Sequence, residues 1–463
     1  MSHALLNRSL SRRRARAPLA RSALGLAVSC LAAVTASAAA LAATPATAHA
    51  SEAPATPASS RTWCAERCDQ VVIDWNLRTH ATIKADNGYI DPMAASRVLA
   101  MVHLAMHDAA NAAEPRFKAH AYTPPAGTAR GEADAAVATT VAAHDVLVGL
   151  FPKQREALAA ALDTALLDAG VGRAVERGRA LGAAAAAAML ARRSDDGSRA
   201  DETYRPGTRP GQYRFTPGFE FLASPHWRAV TPFTMRSPQQ FRVAPPPALG
   251  SAEYAAAFEE VKASGSQAAS AARSIDQTNY AAYWYEFSDI GWNRIARSVA
   301  RTKPQDLWQR ARTFALLNAA MADAYIAGWD SKMHHDFWRP VTAIRLAADD
   351  GNARTVADAA WTPLHVTPPV QDHPSTHSAL GAAAATVLAH AFGSDRVRFT
   401  MASPSSRPEA SARTFASFSA AARENADSRV RAGLHFRFAT TAGLELGEQI
   451  GRQAVREHLA PIR

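Results

Sequence analysis

The 463-residue chain has few of the alternating valine, isoleucine and aromatic stretches that β-sheet proteins use. It also lacks an internal repeat of fixed period. Alanine dominates a composition that is 48% hydrophobic. These features argue against a mainly β fold and against a repeat array, and they predict an all-α protein with a large core.

Acidic residues are absent from the first 50 positions, which carry six arginines (Arg8, Arg12, Arg13, Arg14, Arg16 and Arg21). A basic start, an apolar segment at 22–43 and the small-residue stretch "ATAHA" ending at Ala50 predict a cleaved signal peptide over 1–50. An uncleaved membrane anchor is the alternative. We therefore expect a secreted or periplasmic protein, and the arginines at 12–14 leave a twin-arginine signal open. Because these arginines supply more than half of the formal charge of +10, we infer no nucleic-acid partner.

Cysteine is also scarce, with three residues in the whole chain. Cys30 lies within the apolar segment of the signal peptide. Cys64 and Cys68 remain in the exported chain, where a disulfide and two free thiols are both open.

The chain divides into four predicted segments: signal peptide 1–50, linker 51–69, an N-terminal helical part 70–250 and a C-terminal helical bundle 251–463. Apolar periodicity predicts helices near 90–113, 129–150, 153–169, 171–193, 251–264, 290–301, 304–330, 374–392, 409–428 and 433–458. The irregular connection 196–249 is either a lid or channel wall or a packed surface loop. Glycines four apart at Gly443, Gly447 and Gly451 predict a close approach between two helices.

The first chemically loaded stretch is "WDSKMHHDFWRPVTAIR". Lys332 and Arg339 are seven positions apart, close to two helical turns, so we expect them on one helix face about 10 Å apart along the axis. Pro340 disfavours helix at the preceding residue, which predicts that Arg339 lies at a helix end. Two such long cations can converge on one small anion.

The second stretch, "DHPSTHSALG", leads into an alanine-rich run. Pro374 suits the start of a helix and Gly393 its far end. A helix N-terminus offers free N–H groups and partial positive charge. Ser375 adds a hydroxyl and His377 a group that exchanges protons near neutral pH. The pattern predicts an anion site that contains a proton carrier.

The third stretch is "SRVRAGLHFRFATTAG". Arg429 and His435 are six positions apart, which is not one helix face, but a break near Gly433 would bring them together. Arg429 then offers a bidentate donor to an oxyanion. His435 offers a ring nitrogen as nucleophile or metal ligand.

In this order, Lys-x6-Arg-Pro, Pro-Ser-x-His and Arg-x5-His resemble the tripartite signature of the type 2 phosphatidic acid phosphatase (PAP2) and vanadium-dependent haloperoxidase superfamily. The stretches "MVHLAMHDAANA", "DIGWNRIA", "FALLNAAMADAYIAGWDSK" and "FWRPVTAIR" are similar to its bacterial haloperoxidase-like branch. The resemblance covers roughly residues 70–457.

The resemblance implies helical bundles with the active site inside the C-terminal four-helix bundle. It also implies a vanadate cofactor, with His435 as the ligand to the metal and His377 as the acid/base. The groups that hold vanadate would be Lys332, Arg339, Arg429, Ser375 and the backbone N–H of Thr376.

Three functions stay open. A haloperoxidase would oxidise halide with hydrogen peroxide and act on a small organic substrate. A PAP2-type acid phosphatase would cleave a phosphate ester, with His435 forming a phosphohistidine and His377 protonating the leaving group. A non-catalytic oxyanion-binding protein is the third. We expect no stable membrane partner and leave a homodimer open.

Several positions depart from the family pattern or leave a choice open. Thr376 replaces the usual glycine, so its side chain either narrows the pocket or excludes a positive φ. Four residues after His435 the family pattern has an aspartate, where this chain has Ala439. Without that aspartate, Nδ1 of His435 requires a backbone carbonyl or water as its partner. At the position of Val370, similar fungal chloroperoxidases carry phenylalanine and algal bromoperoxidases carry histidine. Trp329 matches the chloroperoxidase-like pattern, and the halide stays open.

His103 and His107 lie four apart on one predicted helix face beside Asp108. They are either a zinc pair or core histidines, because two histidines at this spacing fit both.

Overall fold

The computed structural model describes residues 70–127 and 131–462. The predicted signal peptide, its cleavage site, the linker 51–69 and all three cysteines lie outside these ranges, so those predictions stay open.

Thirteen α-helices lie in the described ranges. They are α1 Val71–Asn87, α2 Pro92–Ala113, α3 Ala135–Leu150, α4 Arg155–Leu166, α5 Arg173–Arg192, α6 Ala252–Ser264, α7 Ile275–Tyr283, α8 Ser288–Ala300, α9 Leu307–His335, α10 Pro340–Arg345, α11 Thr376–Ala391, α12 Phe418–Arg431 and α13 Arg437–Glu457. One small hairpin joins β1 Phe399–Ala402 to β2 Ala412–Phe415. The all-α prediction is confirmed.

Local capping chemistry sets many of the helix starts. Asp91 precedes Pro92, and its side chain accepts hydrogen bonds from the first-turn N–H groups of α2. Asp134 caps α3 in the same way, which places the start of this helix several residues after the predicted one. Asp306 forms a capping box with Gln309 at the start of α9.

The prediction of a helix over 409–428 is wrong in its first half. Residues Ala412–Phe415 pair with Phe399–Ala402 as an antiparallel hairpin, and α12 begins only at Phe418 after the Ser417 cap. Phe399 lies opposite Phe415, and the hydroxyls of Thr400 and Thr414 are 2.8 Å apart across the strands. Such cross-strand pairs outweigh the local alanine-rich composition. The sequence patterns also missed α1, α7 and the short α10.

Helices α9, α11, α12 and α13 pack together as a four-helix bundle. The predicted glycine stripe lies where α13 meets α11. A Cβ added at Gly443 would lie 2.3 Å from the Ser375 carbonyl oxygen, and one at Gly447 would lie 2.0 Å from that of Ala379. The close helix approach is therefore confirmed, and it holds the start of α11 against α13.

A second group of helices, α2, α3 and α5, packs against one another, and α2 also packs along α9. Helix α9 thus contacts both groups. The predicted segment boundary between 250 and 251 stays a prediction. In the described ranges no single helix is long and apolar enough to cross a bilayer, although Ala135–Leu150 with Pro152–Leu166 forms a bent pair that passes by length and composition.

Candidate functional site

Lys332 and Arg339 do not lie on one helix face. Helix α9 ends at His335, and Asp336 adopts a left-handed conformation with φ 49°. Arg339 is extended, with Pro340 starting α10 directly after it. The predicted position of Arg339 at a helix end holds, but the expectation of a shared face is wrong, because α9 ends at His335, before Arg339.

The Lys332 ammonium group is buried at the C-terminal end of α9. It donates to the carbonyl oxygen of Gln371 at 2.5 Å and to that of Asp372 at 3.1 Å. Two of its three N–H donors are thereby used. These bonds tie the segment that precedes the second motif to the first motif.

Ser375 is the N-cap of α11. Its Oγ accepts from the Ser378 backbone N–H at 3.4 Å and from the Ser378 hydroxyl at 3.1 Å, so its own hydroxyl proton remains available as a donor. Its backbone N–H donates to the Ala439 carbonyl at 2.8 Å. The first N–H groups of α11, beginning with that of Thr376, have no acceptor within the helix.

The Thr376 side chain packs against α9. A Cβ added at Gly328 would lie 2.4 Å from Thr376 Cγ2, so the absence of a side chain at Gly328 makes room for this methyl group. Thr376 is the first residue of α11 and has no positive φ. The threonine that replaces the usual glycine therefore keeps its backbone N–H at the helix start.

Arg429 and His435 are brought together by a break between α12 and α13, as predicted. Gly433 adopts φ 78°, and a Cβ there would lie 2.4 Å from the Gly265 carbonyl oxygen, so only glycine fits. The backbone N–H groups of Leu434 and His435 both donate to the Arg429 carbonyl, at 3.0 and 3.3 Å. The third motif thus folds back on itself.

The first and third motifs meet at the His435 imidazole. Arg339 Nη1 lies 2.8 Å from His435 Nε2, and the same nitrogen donates to the Leu434 carbonyl at 2.7 Å. Arg339 Nε donates to the Val370 carbonyl at 2.6 Å. On the other side of the ring, His435 Nδ1 lies 2.9 Å from the Asp372 Oδ1. The Asp372 carboxylate therefore lies at hydrogen-bond distance from Nδ1, where a backbone carbonyl or water was expected, but the two atoms are not aligned for a hydrogen bond.

Residues between α7 and α8 form a further wall of the site. Arg429 Nη1 donates to the Trp284 carbonyl at 3.2 Å, and its guanidinium lies 5.9 Å from the Tyr285 ring centroid. His377 Nε2 donates to the Glu286 carbonyl at 3.1 Å. The motifs did not predict this wall, although the aromatic run "YAAYWYEF" marks it in the sequence.

Buried cations outnumber buried acids in the site. Lys332, Arg339 and Arg429 are at most 2% exposed, and Asp372 is the one carboxylate among the described groups that contributes to their pKa values. Arg429 Nε is buried and has no hydrogen-bond partner in the described part of the chain. Cations buried without counter-charge are costly, so the arrangement favours an added anion.

The pKa values of these groups follow from burial and from their positive neighbours. Burial lowers the pKa of Lys332 well below its usual value, and lowers that of Arg429 to about 10. Burial raises the pKa of Asp372 to about 7, against the opposing effects of Arg339 and Lys332. Burial and the nearby cations hold the pKa values of His377 and His435 well below 6.5. Both imidazoles are therefore neutral near pH 7.

The long connection 196–249 packs closely against the outer side of the first motif. Tyr204 donates to the Asp336 carboxylate at 2.5 Å, and the Arg242 guanidinium makes two 2.8 Å bonds to Asp330. Trp329 Nε1 donates to the Ala223 carbonyl at 3.1 Å. These bonds pack the connection against the end of α9.

His103 and His107 are core histidines. His103 Nδ1 donates to the Leu99 carbonyl at 2.7 Å, and Asn76 lies 3.1 Å from its Nε2. His107 Nε2 donates to the Lys118 carbonyl at 3.2 Å. In the described ranges no three His, Cys, Asp or Glu side chains form a group that could hold a metal cation. The core alternative is the one that the structure supports.

Comparison with known proteins agrees with this architecture. Residues 312–463 match the family model described as the VCPO second helical-bundle domain. The vanadium chloroperoxidase of Curvularia inaequalis is 28% identical over 375 residues, which cover 63% of this chain and 60% of that protein. The chain thus spans about 60% of the length of this relative.

Solved structures share the fold. The crystal structure of the first bacterial vanadium-dependent iodoperoxidase superposes with a TM-score of 0.73 at 24% identity, covering 85% of this chain and 98% of that one. A holo-type bacterial vanadium-dependent chloroperoxidase gives 0.65 at 18% identity, covering 80% and 93%. The predicted likeness to vanadium haloperoxidases and the predicted helical-bundle fold are therefore confirmed.

Proposed function

We propose that this chain, whose residues 312–463 match the VCPO second helical-bundle domain, is a vanadate-dependent haloperoxidase-like enzyme that oxidises halide with hydrogen peroxide. One observation carries the proposal. Three buried cations with a single nearby carboxylate surround an imidazole whose Nε2 accepts a hydrogen bond. This is the environment of a bound oxyanion with a nitrogen ligand.

The described residues fit vanadate. The unpartnered Arg429 Nε, the spare donor of Lys332 and the Ser375 hydroxyl would each donate to its oxygens. His435 Nε2 would be the ligand. Arg339, which donates to that nitrogen in this structure, would then donate to the anion. When bound, vanadate supplies the centre at which peroxide is activated for transfer of an oxygen atom to halide.

His377 is the group that we propose to move protons. Its Nε2–H is held by the Glu286 carbonyl, so the neutral ring has Nδ1 free to accept a proton. The surrounding cations lower its pKa, and an anion that offsets their charge would raise the pKa toward neutrality. A proton taken from hydrogen peroxide can thus be held on this ring and returned to a departing oxygen.

A phosphatase of the PAP2 type is the second candidate, and Asp372 favours it. A nucleophilic histidine benefits from a carboxylate at its other nitrogen. The sequence lacks this group at Ala439, but Asp372 lies 2.9 Å from His435 Nδ1. The same cradle would then stabilise a phosphoryl group in transfer.

Paired assays on the purified mature chain test the proposal. Bromination of a phenolic dye with peroxide and bromide, lost on vanadate removal and restored by vanadate, supports the haloperoxidase. Phosphate-ester cleavage that vanadate inhibits supports the phosphatase instead. Tight oxyanion binding with neither activity contradicts both enzymes and supports a non-catalytic binding protein. In the first case we expect His435→Ala to lose vanadium retention and His377→Ala mainly to slow turnover.

We also propose that the chain is exported and that its signal peptide is cleaved after Ala50. N-terminal sequencing of protein recovered from outside the cytoplasm is expected to begin at Ser51. A chain that keeps its first 50 residues would contradict this.

A further inference from the structure

We propose that Asp372 is a positioning residue for His435, supplying from the second motif the carboxylate that the third motif lacks at Ala439. The inference rests on the proposed function, in which His435 Nε2 is the ligand to vanadate. It concerns Nδ1, the other nitrogen of the same ring.

The hydrogen-bond chemistry of the ring assigns its tautomer. A guanidinium has only donors, so the 2.8 Å contact between Arg339 Nη1 and His435 Nε2 makes Nε2 the acceptor. The proton of the neutral imidazole must then be on Nδ1. Nδ1 lies 2.9 Å from Asp372 Oδ1, and it has no other hydrogen-bond acceptor in the described ranges.

The present ring orientation brings these atoms to hydrogen-bond distance without aligning the N–H on the oxygen. In the proposed role, the Nδ1–H group points at this oxygen. A carboxylate that accepts from the second nitrogen of a ligand histidine fixes the tautomer and makes the first nitrogen a stronger donor of its lone pair. Arg339 already sets the tautomer, and Asp372 is placed to strengthen the lone-pair donation of Nε2.

Asp372 is itself held rigidly. Its side chain is fully buried, its backbone N–H donates to the Phe337 carbonyl at 3.0 Å, and its carbonyl accepts from Lys332. Arg339 Nη1 lies 4.0 Å from its Oδ1. Asp372 therefore contacts the first and third motifs while its own chain leads into the second. Its position explains how a chain with alanine at 439 can still orient His435.

Two anions separate the possible roles of Asp372. Orthovanadate forms a bond to His435 Nε2 in the proposed function, whereas inorganic phosphate is held by the cations and hydrogen-bond donors alone. Removing the Asp372 charge leaves the cations less neutralised, which favours both anions. Loss of the positioning effect acts only on the anion that bonds to the ring.

The test is calorimetric titration of the vanadate-free mature chain with each anion at pH 8. We expect Asp372→Asn to weaken orthovanadate binding about 10- to 100-fold, while phosphate affinity stays the same or rises. Equal weakening of both anions would show a structural role, and strengthening of both would show a purely electrostatic one. Either result overturns the proposal.

Asp336→Asn is the matched control. Asp336 is a second carboxylate of the same region, but it accepts from Tyr204 and Gln371 and not from His435. Its variant is expected to bind both anions within about threefold of wild type, since weak second-site effects are of that order. A vanadate loss equal to that of Asp372→Asn would count against the specific role of Asp372.

Nitrogen-15 NMR of the histidine rings gives a readout that does not depend on vanadate. The His435 signals are assigned by their absence in His435→Gln. Because Arg339 donates to Nε2, we expect Nδ1 to be protonated in both proteins. In Asp372→Asn the Nδ1 resonance should shift, since the protonated nitrogen loses its charged acceptor, and an unchanged resonance refutes the proposal. If wild type binds orthovanadate no more tightly than phosphate, the proposed function fails, and the Nδ1 resonance still decides the role of Asp372.

Discussion

Asp323 and Arg429 are both fully buried charges, but they differ in what surrounds them. The Asp323 carboxylate accepts four hydrogen bonds, from the backbone N–H groups of Phe233, Thr234 and Met235 and from the Thr234 hydroxyl, at 2.6–3.1 Å. Arg429 donates to one carbonyl, and its Nε has no partner in the described ranges. The hydrogen-bonding groups of Asp323 are thus satisfied by the protein, and those of Arg429 are satisfied only in part.

The same contrast extends to other buried charges. Around α2 and α5, Asp108 accepts from three consecutive backbone N–H groups, and Asp196 accepts from Arg97 at 2.6 Å. In the site, Lys332 and Arg339 share one carboxylate, that of Asp372. Buried charges are tolerated only when partners offset the loss of water. The buried charges near α2 and α5 therefore stabilise the fold, whereas the buried cations of the site favour the binding of an anion.

The largest expected effect is on stability, from Asp323→Ala. This change leaves three buried backbone N–H groups without their acceptor, and we expect a loss of about 4 kcal/mol in the free energy of unfolding. Urea denaturation measures it. Asp323→Asn, which keeps one acceptor oxygen, should lose less. A loss below about 1 kcal/mol for the alanine variant would remove the contrast between the regions.

Arg429→Met is expected to act in the opposite way. Removing an incompletely partnered buried cation should leave the stability of the anion-free protein unchanged or raise it by about 1 kcal/mol. Phosphate affinity should fall at least about 100-fold, which is about 2.7 kcal/mol. Phosphate should then raise the melting temperature of wild type but not of the variant.

Arg431→Met is the matched control for Arg429→Met. Arg431 lies two residues away on α12 and pairs with Asp427 and Glu260 near the surface. Its loss should cost less than about 1 kcal/mol and leave anion affinity unchanged. Equal affinity losses for the two variants would mean that the effect is one of net charge and not of the site.

The two regions also differ in what the sequence predicts. Helix caps such as Asp91 and the glycine stripe of α13 can be identified from the local sequence, because helix starts and close packing need particular residue types. The motif residues were identifiable by type and order. The role of Asp372 was not, because it depends on a contact with His435 across 63 positions of chain. The left-handed turn at Asp336 was missed for a similar reason, since only a minority of non-glycine residues adopt it.

A loss of stability in acid is expected from His103, a buried histidine on α2. Burial lowers the pKa of His103 to about 4, helped by Arg297, against 6.5 in the unfolded chain. Below about pH 6.5 the His103 imidazole is protonated in the unfolded state but neutral in the folded state. The free energy of unfolding therefore falls as pH drops from about 6.5 toward 4. The expected contribution of this one residue between pH 7 and 5 is about 2 kcal/mol.

His103→Gln tests this contribution, because glutamine can donate and accept but does not titrate. Urea denaturation at pH 7 and pH 5 should show a pH-dependent loss that is about 2 kcal/mol smaller in the variant than in wild type. Equal losses would mean that other groups, such as His107, carry the acid sensitivity.

The smallest expected effect lies where the two regions meet, on α9. Gly328→Ala places a methyl group against Thr376 Cγ2, at 2.4 Å without relaxation, and should cost about 1–2 kcal/mol while displacing the start of α11. Thr376→Ser removes that methyl group. In its background the same Gly328→Ala change should become neutral or stabilise by up to about 1 kcal/mol, because alanine is the better helix former. Phosphate affinity should fall in the single Gly328→Ala variant and recover in the pair. Simple additivity of the two changes would show that the Thr376 methyl group is not what requires glycine on α9, and that the two regions are not coupled there.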